Sequence, residues 1–328
     1  MDFSNRVILV TGGAGFIGSH IVDQLVTLNA EKVIALDDFS AGYKVFINPN
    51  HDNVVIIEED ITDRSSLDKH FADADIVIHA AAQADVAKSI QEPLHDFKDN
   101  AEGSLNVLDA SLKNDVKKVI VVGSAAVYGN ETISGDDRRY TETQAVHPIS
   151  PYGANKLYTE QITRVYHECY SLQTVTLRYF SIYGPRQIPK PGSHSWAVAI
   201  FIANAVAKKD LVIFGDGKQI RDQTFVKDAV YTTLLAVDEP RAVGKIINVG
   251  SGKPTTILEL AKLVIRLIDP NLKIRFAPRP RGDPLGGYAD TTLLKKVLNY
   301  VPDTPLPQGI REQCEWYKHY GFERKNRS

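Results

Sequence analysis

Apolar residues along this chain follow two alternating rhythms. Short unbroken runs rich in Val, Ile and Leu lie at 6–10, 32–36, 54–58, 76–79, 119–122 and 174–179. Such runs predict strands buried on both faces. Between them, apolar residues recur three and four apart, the spacing of one helix face. Ile17, Ile21, Leu25 and Leu28 mark the first helix, and Leu105, Leu108 and Leu112 mark one over 97–113. A shorter helix is predicted over 65–71 and a long one over 151–170. Strands alternating with helices predict an α/β fold, a doubly wound parallel sheet covered on both faces. Ligands of such a sheet bind beyond the carboxyl ends of its strands, where Asp37, His79, Ser124 and Tyr179 fall.

The texture changes after Gly184, where Pro185, Pro189, Pro191 and Gly192 mark a loop. Helices are predicted over 196–208, 226–236, 257–267, 291–298 and 308–320, and strands over 211–214, 245–249 and 273–276. The strand over 245–249 is expected to return to the main sheet. This divides the chain into a Rossmann domain, 1–180 plus about 222–252, and a smaller α/β domain, 181–221 plus about 253–328. The tail from 324 is polar and expected to fray.

The first strand and helix are joined by Thr11-Gly12-Gly13-Ala14-Gly15-Phe16-Ile17-Gly18, and the next strand runs into Asp37 and Asp38. Strand, glycine turn, helix, strand and acid form a dinucleotide-binding unit. Gly12 allows the tight turn, Gly15 lets backbone approach a pyrophosphate, and Gly18 lets the helix pack on the strand. The helix start offers free N–H groups and partial positive charge to phosphate. Asp37 is placed to accept both ribose hydroxyls and would repel a 2′-phosphate, so NAD is expected rather than NADP.

Composition narrows the class. With 43% hydrophobic residues in 328, the chain has material for a large core. A net charge of −2 excludes a broadly basic nucleic-acid or membrane surface, so an anionic ligand must be met by local cations. The two cysteines, Cys169 and Cys314, are far apart and form neither a disulfide framework nor a metal cluster. No leader or long apolar span is recognised, and a cytoplasmic protein is expected.

Tyr152 and Lys156 lie four apart on a predicted helix and share one face. A nearby ammonium favours the phenolate, and a tyrosine so tuned can exchange a proton with a substrate hydroxyl. Ser124, at a strand end, is placed to hydrogen-bond the same oxygen.

Together these motifs resemble an extended short-chain dehydrogenase/reductase of the nucleotide-sugar epimerase and dehydratase family. The resemblance spans nearly the whole chain. It rests on the glycine turn, Asp60-Ile61, His79-Ala80-Ala81-Ala82, Asn100, Ser124 to Gly129 and Tyr152 to Lys156. It continues through Arg178-Tyr179-Phe180, Tyr183-Gly184-Pro185-Arg186, Arg221-Asp222, Asn248-Val249-Gly250 and Gly282-Asp283. The resemblance implies that Asp60 and Ile61 meet the adenine. It implies that Ala80, Ala81 and Ala82 lie against the cofactor, and that Asn100, Tyr152, Lys156 and Tyr179 hold the nicotinamide half. Ser124 and Tyr152 would be catalytic. Val212 to Phe214 would cradle the base of a nucleotide sugar, and Arg221 with Arg279 or Arg281, beside Asp283, would grip its diphosphate. A homodimer through a four-helix bundle is implied for helices 97–113 and 151–170. Two positions depart from the family pattern. Ser181 replaces the usual asparagine, and the Arg-Pro-Gly-Asp loop reads Arg279-Pro280-Arg281-Gly282-Asp283, which leaves either arginine to meet phosphate.

Related 4,6-dehydratases carry an acid pair after the serine and decarboxylases usually keep a glutamate. Here Ala125 and Ala126 follow Ser124, which favours epimerisation at C4. The substrate expected is a UDP-hexose, UDP-glucose/galactose and/or UDP-N-acetylglucosamine/galactosamine. A dehydratase, a UDP-glucuronate epimerase or decarboxylase, and a non-catalytic NAD-binding scaffold remain the alternatives. Gly287, two before Ala289, matches a gatekeeper of the hexose epimerases and reads either as room for a 2-acetamido group or as a turn glycine. His79 reads as structural, Trp196 as core and Cys169 as packed on its helix. His194 is a candidate to face substrate, and Asp136 to Arg139 reads as a solvated loop or a lid.

Overall fold

The structure, a computed structural model, describes residues 1–130, 138–190, 195–280 and 282–325. Seven of the predicted apolar runs form one parallel sheet. Its strands are β1 (Val7–Thr11), β2 (Lys32–Asp37), β3 (Val54–Glu58), β4 (Ile76–His79), β5 (Lys118–Ser124), β7 (Thr174–Tyr179) and β12 (Ile246–Val249), in the order β12-β7-β5-β4-β1-β2-β3. The returning strand β12 pairs with β7, Asn248 opposite Arg178. From β1 the chain builds outward to β2 and β3, then crosses to β4 and builds the other way. A crevice opens beyond the strand ends where that order reverses, between β1 and β4.

Strand side chains alternate between faces, so each strand feeds two cores. Ile8, Val10, Ile78 and Ile120 join α1 (Phe16–Thr27) and α8 (Val226–Asp238) on one side. Leu9, Val77, Val119 and Val121 join α2 (Arg64–Phe71), α5 (Gly103–Lys113) and α6 (Pro151–Tyr170) on the other. Both faces are covered, which is why these strands read as unbroken apolar runs.

The helix predicted over 97–113 starts earlier, at Pro93, and is not α-helical throughout. Two short helices not foreseen, α3 (Val86–Gln91) and α4 (Pro93–Phe97), precede a π-helical turn over Lys98–Glu102, and only then does α5 begin. Asp85 caps α3 by accepting from the Ala87 and Lys88 N–H groups, and Pro93 starts α4. The π turn has an identifiable cause. The Asn100 carbonyl accepts the hydroxyls of Ser104 and of Thr159 on α6, which compete with the regular helical bond.

The second region is built from small pairs. The pairs are β6 (Arg139–Tyr140) with β15 (Tyr288–Ala289), β8 (Ile182–Tyr183) with β11 (Thr224–Phe225), β9 (Leu211–Phe214) with β14 (Ile274–Ala277), and β10 (Ile220–Asp222) with β13 (Pro254–Thr256). Around them pack α7 (Ala197–Val206), α9 (Ile257–Ile268), α10 (Thr292–Leu298) and α11 (Leu306–Lys325). A capping box of Thr256 and Glu259 starts α9. Among the described residues no helix is long and apolar enough to cross a membrane, and no cluster of side chains could hold a metal.

One buried ion pair ties the sheet to α6. Arg178 donates to both Glu160 oxygens, at 2.7 and 2.6 Å, and to the Tyr128 hydroxyl at 2.7 Å. Tyr128 in turn donates to Asn248 and stacks on Tyr140 at 4.5 Å. Removing one partner leaves the other charge buried and unpaired. Glu160→Ala is expected to destabilise the fold by about 3–5 kcal/mol in chemical denaturation; a loss under ~1 kcal/mol would contradict this account.

Candidate active site

The crevice opens into a cavity of about 590 Å3. At one end the glycine turn forms its floor. Gly12 has φ +67°, and a Cβ there would sit 2.7 Å from the Ala81 nitrogen. A Cβ on Gly18 would run into the Gly12 carbonyl oxygen. The Gly15 N-cap of α1 carries no capping side chain, so the helix presents its first turn, Gly15 to Gly18, bare to the cavity. Uncapped N–H groups and the helix dipole make this an anion seat. The chemistry fits the pyrophosphate of a dinucleotide. Asp37 and Asp38 line the same end, with Asp60, Ile61, Ala80, Ala81 and Ala82. Asp37 is drawn closer into its own loop than expected. It accepts from Ala14 N at 2.9 Å and from Phe39 N at 2.8 Å. Burial pushes its carboxyl above the usual range, and those two N–H groups pull it back.

At the other end α6 brings Tyr152 and Lys156 against Ser124. Ser150 caps the helix by accepting from Gly153 N, and Pro151 occupies its first turn. Lys156 is 3% exposed, and its Nζ donates to the Val122 carbonyl at 3.1 Å. Burial pulls its pKa down to about 8, against the charge of Asp96. The expectation of a tyrosine lowered by this ammonium needs correcting. Burial raises the Tyr152 pKa, the hydrogen bond with Ser124 lowers it, and Asp96 raises it. In this fold desolvation outweighs the pair, because Lys156 is buried and Tyr152 sits half-buried deep in the cavity.

Several expected ligands are placed differently. Asn100 is 1% exposed and does not line the cavity; its amide donates to the Gln83 carbonyl and to Asp96, and its Oδ1 has no partner. Tyr179 lines the cavity, but its hydroxyl is bonded to Thr233 of α8. His79 is hydrogen-bonded at both ring nitrogens, to Thr11 at 2.7 Å and Ser104 at 2.9 Å. Burial holds it neutral, with its pKa pulled down to about 3, as a structural residue would be. Trp196 is not core. It is half-buried, lines the cavity and carries the Lys190 ammonium 5.6 Å from its ring centre. Cys169 is exposed, and Cys314 is buried in α11.

On the far wall β9 alternates, with Leu211 and Ile213 in the core and Val212 and Phe214 facing the cavity. Ser181 and Arg221 line it as well. Arg221 donates to Asp283 at 2.8 Å and to the Pro284 carbonyl at 3.2 Å. Arg279 lies behind, off the lining, 3.4 Å from the other Asp283 oxygen. Asp283 therefore holds two guanidinium groups at once. Arg281, His194, Asp136 and Asp137 lie outside the described residues. Gly287 lines the cavity, yet a Cβ there would meet the Tyr140 ring at 2.6 Å and the Arg138 carbonyl. Packing alone demands glycine at 287, while the turn is made by Gly286 at φ +75°. Sequence reasoning missed Tyr140, Gln83 and Lys190 on the lining and Asp96 behind it. No local pattern marks these positions, which become neighbours only through the fold.

A model of the NAD dependent epimerase/dehydratase family matches residues 8–250. The fold is similar to that of a UDP-glucose 4-epimerase from Thermotoga maritima solved with UDP-glucose. That likeness has a TM-score of 0.89 at 35% identity, over 96% of this chain and 99% of that one. A UDP-glucuronic acid 4-epimerase from Bacillus cereus, solved with UDP-glucuronic acid and NAD, matches with a TM-score of 0.86 at 30% identity, over 96% and 99%. A UDP-N-acetyl-alpha-D-glucosaminuronate decarboxylase of Bacillus cytotoxicus is 34% identical over 94% of this chain and 97% of its own length.

A methyl group at Gly18 would overpack the turn where the helix start meets phosphate. Gly18→Ala is expected to weaken NAD binding about tenfold or more. Bound NAD released from the purified protein by acid and measured by chromatography checks this; parental occupancy would refute it.

Proposed function

The chain belongs to the NAD-dependent epimerase/dehydratase family and is an NAD-dependent enzyme of its UDP-sugar epimerase and decarboxylase branch. From that premise we propose that it inverts C4 of a UDP-hexose through a transient 4-keto sugar. The observation that carries the reading is the wall beside Ser124. Ala125 and Ala126 line the cavity there, and neither can move a proton. Among the described lining residues the carboxylates lie elsewhere. Asp37, Asp38, Glu59, Asp60 and Asp99 are toward the glycine turn and the adenine end, and Asp283 is held by two arginines. Elimination or decarboxylation would use an acid–base group at the sugar's far end. Inversion at C4 uses only one, at O4.

Tyr152 takes the O4 proton and later returns it. Ser124 holds the same oxygen and steadies the developing phenolate, in line with its lowering effect on the Tyr152 pKa. Lys156 carries positive charge beneath the phenol, where burial makes that charge count for more. NAD, when bound, accepts the C4 hydride and gives it back, and its positive ring further favours the phenolate. Gly12, Gly15, Phe16, Ile17, Gly18, Asp37 and Asp38 would hold its phosphates and ribose, with Asp60 and Ile61 on the adenine. Arg221 would anchor the diphosphate, with Arg279 behind it, while Val212 and Phe214 take the base. The nucleotide must supply most of the binding energy, because the keto sugar has to present its other face. Residues 1–180 with about 222–252 would then form the cofactor domain and the rest the sugar domain. Since packing accounts for Gly287, the choice between plain and N-acetylated hexoses rests on the substrate panel below.

We also propose a homodimer through α5 and α6 with the neighbouring α4. Leu94 is 84% exposed and Phe97 50%, and Phe97 lies 6.5 Å from Tyr158 of α6. Apolar groups so exposed are expected to be covered by a second copy.

Incubation with a panel of UDP-sugars, followed by NMR of the sugar, is expected to show C4 inversion. No inversion in any UDP-hexose would overturn the reading, and carbon dioxide from a UDP-uronate would replace it with a decarboxylase. Tyr152→Phe is expected to lower kcat by about 100-fold or more, the contribution of a positioned acid–base group. Light scattering should give twice the chain mass, and Phe97→Glu should shift it to one.

A further inference from the structure

One buried carboxylate has no part in the chemistry above. Asp96, on α4, is 1% exposed, and no basic side chain pairs with it among the described residues. Its partners are three side-chain amides. Oδ1 accepts from Gln83 at 2.7 Å and from Asn100 at 3.0 Å, and Oδ2 accepts from Asn155 at 2.7 Å. Each amide comes from a different piece of the site. Gln83 lines the cavity just beyond β4, Asn100 sits in the π turn, and Asn155 lies on α6 between Tyr152 and Lys156. A charge buried without a counter-ion is costly, and a fold that needed only three hydrogen bonds could place a neutral acceptor there.

We propose that Asp96 is a positioning residue of the active site: its carboxylate ties the Tyr152–Lys156 turn to the cavity floor through Asn155 and keeps a negative charge behind both groups. Its charge opposes ionisation of Tyr152 and holds the proton on Lys156. Of the other charged groups on elements packed against α6, Lys98 and Glu102 of the π turn are exposed, Asp109 and Lys113 of α5 pair with Arg64 and Asp68, and Lys118 on β5 donates to the Val237 carbonyl at the far end of its strand. Arg178 on β7 is paired with Glu160, Asp99 in the π turn lies 3.5 Å from His95, Lys88 on α3 lies 3.8 Å from Glu92, and His79 on β4 is neutral. Among the described residues of these elements, Asp96 is thus the buried carboxylate without a charged partner. The π turn has a use in this arrangement, since it carries Asn100 to the carboxylate while leaving its Oδ1 free.

Two readouts on the NAD-loaded full chain test this. The first is ionisation of Tyr152, read as the near-ultraviolet absorbance difference between each protein and its Tyr152→Phe counterpart. Asp96→Asn is expected to move the midpoint down by about one pH unit, and Asn155→Ala, which keeps the charge, to leave it in place. The second rests on the 4-epimerase reading. Without the carboxylate both Tyr152 and Lys156 lose their protons at lower pH, so the whole bell of kcat against pH should slide toward acid by a similar amount. A merely structural role would lower the bell without moving it. Asp96→Ser is made in parallel, so that misfolding of the asparagine variant leaves the question decidable. A Tyr152 midpoint unmoved or raised in the folded variant overturns the proposal. Absence of turnover with any UDP-sugar would sink the epimerase reading alone, with the absorbance titration still deciding the role of Asp96.

Discussion

A turn without side chains is the constraint on which the rest of this molecule depends. At Gly12 the backbone of β1 passes within van der Waals contact of the strand-end segment after β4; at Gly13 it meets Ala35 of β2; at Gly18 the first turn of α1 rests on the Gly12 carbonyl. Three glycines therefore bring two neighbouring strands and a helix start to one point. Any Cβ at these places would push them apart. Because they meet, the helix N-terminus faces the crevice at the switch in strand order, and a phosphate can be bound by backbone alone. A chain with a net charge of only −2 then needs few cations to hold two diphosphates.

The opposite end of the cleft works by exclusion of water. Lys156 is buried and Tyr152 is half-buried in the cavity wall, and desolvation opposes the charged form of each. A phenol and an amine placed this way would drift toward their neutral states without neighbours to prevent it. The neighbours are polar atoms of the frame: the Val122 carbonyl under Lys156, the Ser124 hydroxyl beside Tyr152, and the Asp96 carboxylate behind them. Low dielectric makes each of these few contacts weigh more than it would in water. The same sheet that carries Ser124 carries Arg178, and the Arg178–Glu160 pair holds α6 against it. Stability of the frame and accuracy of the site are therefore one network.

Much of this was legible in the chain before folding was considered. The seven sheet strands read clearly because strands covered on both faces must be apolar throughout. The glycine turn, Asp37, Ser124 and the Tyr152–Lys156 spacing were readable because each depends on neighbours close in sequence. The stretch from Val86 to Glu102 was only partly readable. Its two short helices and the π turn leave no local mark, because one cause of the π turn, the Thr159 hydroxyl on the Asn100 carbonyl, lies 59 residues away. The packing demand on Gly287 was hidden for a similar reason. Its neighbours Arg138 and Tyr140 arrive from the middle of the chain, so local sequence could not tell a pocket glycine from a packing one.

By itself, then, the sequence determined the class of fold, the cofactor and the pairing of Tyr152 with Lys156 on one helix face, since helical periodicity, the glycine spacing and the i, i+4 pair are local facts of the polypeptide. Tertiary structure alone decided how those groups are tuned. Only packing buries Tyr152 and Lys156 enough for desolvation to dominate them, and only packing turns the Tyr179 hydroxyl toward Thr233 and Asn100 away from the cavity. Only packing gathers Gln83, Asn100 and Asn155 around one unpaired carboxylate. The physical reason is that solvation and long-range charge depend on what surrounds a group in space, and a one-dimensional pattern does not contain that neighbourhood.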